Sequence, residues 1–175
     1  ENTASPRTVL ANQSANGATH FFEFNVVSGD IQVVLGGVTK SFGALGTGYQ
    51  HLVFNLKKNG GSTDVTAYKN GNLLSTQNYA AALPNFSPQT WRIGARKTAA
   101  SHDQFFSGLI DEVAFYDTTL TQPQVQLNTA QGVAAGDLRL RSWFSLNESR
   151  GTVLEDIGPA RTGKAVGWGA RPREK

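Results

Sequence analysis

The chain contains no cysteine, which excludes a disulfide framework, a thiolate zinc site and a cysteine nucleophile together. Methionine is also absent, and a sequence opening on Glu1 without an initiator is expected to be processed or cut from something longer. No run approaches the roughly 18 apolar residues of a membrane span, so a soluble chain without direct membrane insertion is expected. Charge is sparse: 16 Lys and Arg stand against 13 Asp and Glu, for a net charge of +3. That excess is too small to point to nucleic acid. The one dense basic stretch, Arg171, Arg173 and Lys175 with Arg161 and Lys164 before it, lacks interleaved aromatics that stack on bases and reads as a solvated terminus.

What the chain does have suits one ordinary domain. A chain of 175 residues removes roughly 70% of its unfolded surface from water on folding. A hydrophobic content of 39% with 19 glycines describes a globular, loop-rich chain rather than a disordered one.

Period-2 patterning dominates. Phe22, Phe24 and Val26 alternate with Glu23 and Asn25, and Ile31, Val33 and Leu35 repeat the pattern after Ser28-Gly29-Asp30, so residues 19–35 are predicted to form a hairpin. Leu52, Phe54 and Leu56 alternate likewise before a glycine-rich turn at 59–61. Val65 and Ala67 lead through Asn70-Gly71 into Leu73-Leu74, a second hairpin signal. Pro84 and Pro88 make residues 80–90 a loop, and strand character returns at Trp91–Gly94. The run 105–116 is the most apolar and is predicted to be a strand bulged near Gly108. One segment reads as helix: Thr121 as N-cap, Pro123 in the first turn, Val125, Leu127 and Ala130 at helical spacing, and a stop at Gly132. Strand patterning resumes at Leu138, Leu140, Trp143 and Phe144, then at 153–154 and 165–166. Roughly ten short strands and a single helix predict an all-β fold, an antiparallel β-sandwich or jelly roll.

Four segments, Gly48–Phe54, Val65–Gly71, Trp91–Gly94 and Phe106–Tyr116 with the turn and helix that follow, come in an order that resembles the laminin-G-like, concanavalin A-like jelly-roll domains. In that family a segment of the form W-x-F-x-E-x-x-G-T usually opens the domain, whereas here Trp143–Thr152, with Asp156 and Gly158 beyond, follows the closing strand. The resemblance then implies either a single domain over 1–175, permuted so that 138–175 supplies the opening strands, or most of one module over 1–132 with a second beginning at 138. The permuted arrangement is favoured, since Trp143 and Phe144 need a core and domain termini often lie close together.

The same fold carries glycoside hydrolases and polysaccharide lyases, so catalysis is tested at residues. Retaining hydrolases of this fold place two carboxylates on one face of a strand. Here Asp111 and Glu112 are adjacent and would face opposite ways on a regular strand. None of His20, His51 and His102 has nucleophile-elbow context or metal-ligand spacing, and His51 matches a histidine that the family keeps at a strand start, where packing is its expected role. The resemblance also implies a structural Ca2+, for which Asp111 is the candidate by position; a turn cap, or a pair with Arg92 or Arg96, is the competing reading.

Glycan binding uses aromatic platforms flanked by amides, and Tyr79, Phe86 and Trp168, with Asn85 beside the loop aromatics, are the candidate ligand-binding residues. Trp91 and Trp143 fall inside strands and are expected in the core. The sequons at Asn12, Asn85 and Asn147 are what an Asn- and Ser-rich chain contains by chance. The expected function is therefore a non-catalytic, extracytoplasmic recognition module of a larger secreted or surface protein, binding glycan or a protein partner through rim loops. A hydrolase or lyase with an unrecognised carboxylate pair, and a structural or sensor-linked domain of a membrane-anchored regulator, are the alternatives.

Overall fold

The computed structural model describes residues 5–14, 17, 19–86, 89–147, 153–157 and 164–166. Its chain divides into two units, residues 1–108 and 109–175. In the first, strands β1 (Arg7–Gln13), β2 (His20–Val27), β3 (Asp30–Leu35), β4 (Val38–Ala44), β5 (Leu52–Asn59), β6 (Ser62–Lys69), β7 (Asn72–Tyr79) and β8 (Thr90–Ile93) precede a two-rung hairpin of β9 (Arg96–Lys97) and β10 (His102–Asp103). They form an antiparallel five-stranded sheet in the order β4-β3-β2-β1-β8 and a three-stranded sheet β5-β6-β7. This is the all-β sandwich that the alternation predicts.

The predicted hairpins form where the sequence places them. Ser28-Gly29 and Asn70-Gly71 carry positive φ at both central residues (50° and 80°, 51° and 81°), the backbone that a two-residue turn between right-twisted strands needs. Gly36-Gly37 does the same between β3 and β4. At Gly36 a Cβ would stand 2.4 Å from the Cβ of Ala81, whereas at Gly37 it would meet nothing within 4 Å. Gly37→Ala should therefore cost only the left-handed strain of about 1–2 kcal/mol. Gly36→Ala should cost that plus the displacement of Ala81, and urea titrations of the two variants measure the difference.

Between the sheets lies the core: Phe22, Phe24, Ile31, Val33, Leu35 and Phe42 on one side, Val65, Ala67 and Tyr79 on the other. Phe24 and Phe54 meet with ring centroids 4.8 Å apart, and the Tyr79 hydroxyl donates across the core to the Val33 carbonyl at 2.9 Å.

In the second unit, β11 (Val113–Tyr116) pairs antiparallel with β12 (Leu140–Phe144), and β13 (Val153–Glu155) with β14 (Lys164–Val166). Helix α1 (Gln122–Gln131) follows the predicted caps, with Thr121 as N-cap, Gln124 Oε1 accepting from the Thr121 amide at 2.8 Å, and Gly132 at φ 80° closing it. Leu120, Val125, Leu140 and Phe144 are buried. The family's opening-type segment thus lies, with Phe144 opposite Val113 and Trp143 opposite Ala114, beside the closing strand.

The predicted bulged strand over 105–116 is corrected to Val113–Tyr116 alone. Phe105 makes only an isolated bridge to Thr8, and Glu112 at φ 54° breaks the extended run. Asp111 and Glu112 therefore do not sit on a regular strand. Among the described residues no helix is long and apolar enough to cross a membrane.

Candidate functional site

The outer face of the five-stranded sheet is polar because β2 and β3 alternate. Phe22 and Phe24 point into the core, so Glu23 and Asn25 point out of it, Asn25 beside Gln32 and Glu23 beside Val34 on β3. Yet these outward side chains are covered: Glu23 is 3% and Asn25 4% exposed. The cover is built locally. Gln13 on β1 acts as a substitute strand, its Nε2 donating to the Lys97 carbonyl at 3.0 Å and its Oε1 accepting from the Lys97 amide at 2.9 Å. That clamp holds the β9–β10 hairpin, closed by Thr98 and Ser101, over the sheet. It delivers Arg96 to the edge of the polar face.

Arg96 is itself fixed. Its Nε and Nη2 donate to the two carboxylate oxygens of Asp103 at 3.0 and 2.8 Å, and the amide oxygen of Gln104 accepts from Nη1 and Nη2 at 3.0 Å while its nitrogen donates to Thr8 Oγ1 at 3.0 Å. Glu23 Oε1 lies 3.9 Å from Nη1. These hydrogen bonds hold the Asp103 carboxyl below its usual 3.8, despite a desolvation that acts the other way. A carboxylate with a depressed folded pKa contributes stability that is present above the ordinary value and lost as pH falls through the folded one. The stability gap between the wild type and Asp103→Asn is therefore expected to be constant at neutral pH and to close below pH 3.8, read from urea unfolding at stepped pH.

Between this clamp and β2–β4 opens a cleft of about 290 Å³, with Glu23, Asn25 and Gln32 as its floor, His20 and Arg96 on one wall and Thr39 on the other. His20 Nδ1 lies 2.5 Å from Glu23 Oε1 and Nε2 lies 3.1 Å from the Gly17 carbonyl. A neutral ring donates to one of these acceptors and a protonated ring to both. Asn25 Nδ2 donates to Glu23 Oε2 at 3.2 Å, and Asn25 Oδ1 has no protein partner.

The residues chosen from sequence do not gather here. Tyr79 is 0% exposed and its hydroxyl is taken by Val33, so it is a core residue and offers no ring face to a ligand, a correction whose cause is its register opposite the buried Thr63. Phe86 is half-buried in an aromatic cluster, 6.4 Å from Phe22 and 5.4 Å from Trp91, while Asn85 is exposed on the same loop. Trp168 lies outside the described residues. Asn12, the first sequon, is wholly buried and inaccessible to glycosylation.

Asp111 Oδ1 accepts from the Glu112 amide at 3.1 Å, and Arg96 binds Asp103. Among the described residues no group of three or more acidic or histidine side chains is placed to hold a metal ion. His51 is partly buried, and burial lowers its pKa from 6.5, as suits a packing role.

The cleft residues had a signal in the sequence: the polar half of the Phe22–Val26 alternation names Glu23 and Asn25 directly.

Among curated proteins none matches the chain by sequence. Among solved structures, a protein of Bacteroides ovatus ATCC 8483 described as a candidate carbohydrate-binding protein superposes with a TM-score of 0.66 at 16% identity, over 98% of this chain and 52% of that one. The chain therefore spans about half the length of that protein, and the likeness is one of fold. A laminin G family model, described as the concanavalin A-like lectin/glucanases superfamily, matches residues 2–126, and with the sandwich seen here the chain belongs to that superfamily.

Proposed function

We propose that this chain is a non-catalytic carbohydrate-binding module of a larger extracytoplasmic protein, and that a saccharide seats in the cleft over Glu23, Asn25 and Gln32. The observation that carries the reading is a carboxylate and an amide that are almost wholly buried yet line an open cleft. Buried polar side chains are costly to hold without partners, and planar carboxylates and amides are the groups that read sugar hydroxyls. The volume sits at the lower end of ligand pockets, which run from about 300 to 1,000 Å³, and suits a short saccharide. Superfamily membership and the described role of the Bacteroides protein support the same ligand class.

Binding rather than hydrolysis is favoured by the carboxylates. Glycoside hydrolysis takes two carboxyl groups about 5–10 Å apart, one of them protonated to act as acid. Glu23 lines the cleft, but Asp103 is held ionised by two hydrogen bonds from Arg96 and is ill suited to donate a proton.

Thermal unfolding against a panel of oligosaccharides tests the reading. A ligand specific for the folded chain at a hundred times its Kd stabilises by about 2.7 kcal/mol, a clear rise in midpoint. A rise with at least one glycan and no release of new reducing ends is expected. Release of reducing ends would move the chain to the hydrolase reading, and a flat response across the panel would remove the carbohydrate reading.

A further inference from the structure

Glu23 and Asn25 are closed off from solvent by a piece of chain that the sheet holds through few bonds. Ala11, between Glu23 and Arg92 on the same outer face, is also wholly buried, although it lies outside the core between the sheets. The cover is the β9–β10 hairpin. Among the described residues it pairs with no strand of the five-stranded sheet and has two rungs, Lys97–His102 and Arg96–Asp103. Between its feet the sheet holds it by the Gln13 amide, 3.0 and 2.9 Å from the Lys97 carbonyl and amide, and by the 3.9 Å approach of Arg96 to Glu23. Gly17 abuts Lys97, where a Cβ would stand 2.7 Å from Lys97 Cγ, but its own amide donates to the Ser14 carbonyl. The Arg96–Asp103 pair lies within the hairpin and travels with it. Both feet carry left-handed backbone, Gly94 at φ 79° and Gln104 at φ 50°. Both are pinned to β1, the Gly94 amide donating to the Val9 carbonyl and the Thr8 amide to the Gln104 carbonyl, each at 2.8 Å. Opening between those feet trades the Gln13 bonds for bonds to water, and Asn25 Oδ1, which has no protein partner, gains one. A segment held by so few bonds over buried polar groups opens more readily than the whole chain unfolds.

We propose that the β9–β10 hairpin is a hinged cover latched by Gln13, and that its opening admits a saccharide to Glu23 and Asn25. The inference rests on the carbohydrate reading above and adds how the buried part of the site is reached. With the hairpin turned about Gly94 and Gln104, Arg96 and Asp103 leave as a pair, and the carboxylate and amide beneath face water. A ligand that touches them holds the opened form, so its apparent affinity is reduced by the fraction of chains that are open.

Because the chain has no cysteine, a single introduced thiol reports the opening. Ala11→Cys and Ala67→Cys make the same change at two wholly buried positions, one under the hairpin and one between the sheets. Iodoacetamide under native conditions should react at least about a hundredfold faster with Ala11→Cys, at a rate that low urea leaves nearly unchanged, as for a local opening. Adding Gln13→Leu, which removes the latch and keeps most of its bulk, should raise that rate about tenfold, with a thermal midpoint to show that the variant is folded. Equal rates at the two thiols, with the same urea dependence, would mean that the hairpin leaves only on global unfolding and would overturn the inference. So would an unchanged rate in a folded Gln13→Leu. Either result leaves the carbohydrate reading standing, because the oligosaccharide panel tests it separately. For a glycan that binds, Gln13→Leu in the otherwise unaltered chain should raise the association rate constant about tenfold, and an unchanged constant overturns entry through the opening. A flat panel removes the carbohydrate reading and the entry route with it, while the labelling rates decide the hinge.

Discussion

Phe24→Ala should destabilise the chain by about 3–5 kcal/mol, the range for truncating a buried phenylalanine. Phe24 is 6% exposed and sits on β2, in the middle of the five-stranded sheet, where it reaches across the sandwich to Phe54 at 4.8 Å. Phe54 also meets Phe42 edge-on, at 6.1 Å and 86°, so removing one ring loosens a linked set rather than a single pair. The site cannot collapse to fill the hole, because β2 is pinned on both sides by β1 and β3. Urea unfolding followed by tryptophan fluorescence reads the loss, since Trp91 packs on Phe22 at 6.0 Å in the same core. Phe105→Ala, at a residue 61% exposed, serves as the contrast and should change stability by less than about 0.5 kcal/mol. A Phe24→Ala loss as small as that would mean that the two sheets do not close on each other as described.

The same alternation that makes Phe24 a core residue was the most legible feature of the sequence, because in β2 and β3 it runs unbroken between two glycine-bearing turns. Asn70-Gly71 and the Thr121–Gly132 helix were legible for the same reason: each is specified by residues next to one another. Strand β1 has no such legible pattern. It carries register shifts between Thr8 and Leu10 and between Asn12 and Gln13, which scramble a period of two, and it buries Thr8, Asn12 and Gln13 as fully as its apolar residues. Tyr79, a candidate ligand platform by residue type, lies in the core instead. A shift between Ala67 and Tyr68 in the β6–β7 pairing resets which residues of β7 face inward, and no local pattern announces it.

The cleft was half legible. Glu23 and Asn25 stand out as the polar half of an amphipathic strand, but what makes them a site is cover supplied from the β9–β10 hairpin, through a clamp by Gln13 and an Arg96–Asp103 pair that no spacing rule connects to β2. The hairpin turn itself, Thr98-Ala99-Ala100-Ser101, has neither glycine nor asparagine and is closed by side-chain hydroxyls instead.

Glu23→Gln should weaken binding of the best glycan by about tenfold, and Glu23→Ala by about a hundredfold. The first change keeps the shape of the side chain and the acceptor that Asn25 Nδ2 uses at 3.2 Å, but converts charge-assisted hydrogen bonds, worth about 1.5–3 kcal/mol, into neutral ones worth about 0.5–1.5. The second removes the acceptor altogether, frees His20 Nδ1 from its 2.5 Å contact and opens the floor of the cleft. Calorimetric titration gives the affinities, and a thermal midpoint for each variant separates lost binding from lost structure. Asn85→Ala, on the exposed loop, is the control and should bind as the wild type does. The reverse pattern, with Glu23→Gln unaffected and Asn85→Ala impaired, would move the binding site to the loop of Asn85 and Phe86. The polar cluster over β2 and β3 would then act only as a clamp that fastens the β9–β10 hairpin to the sheet.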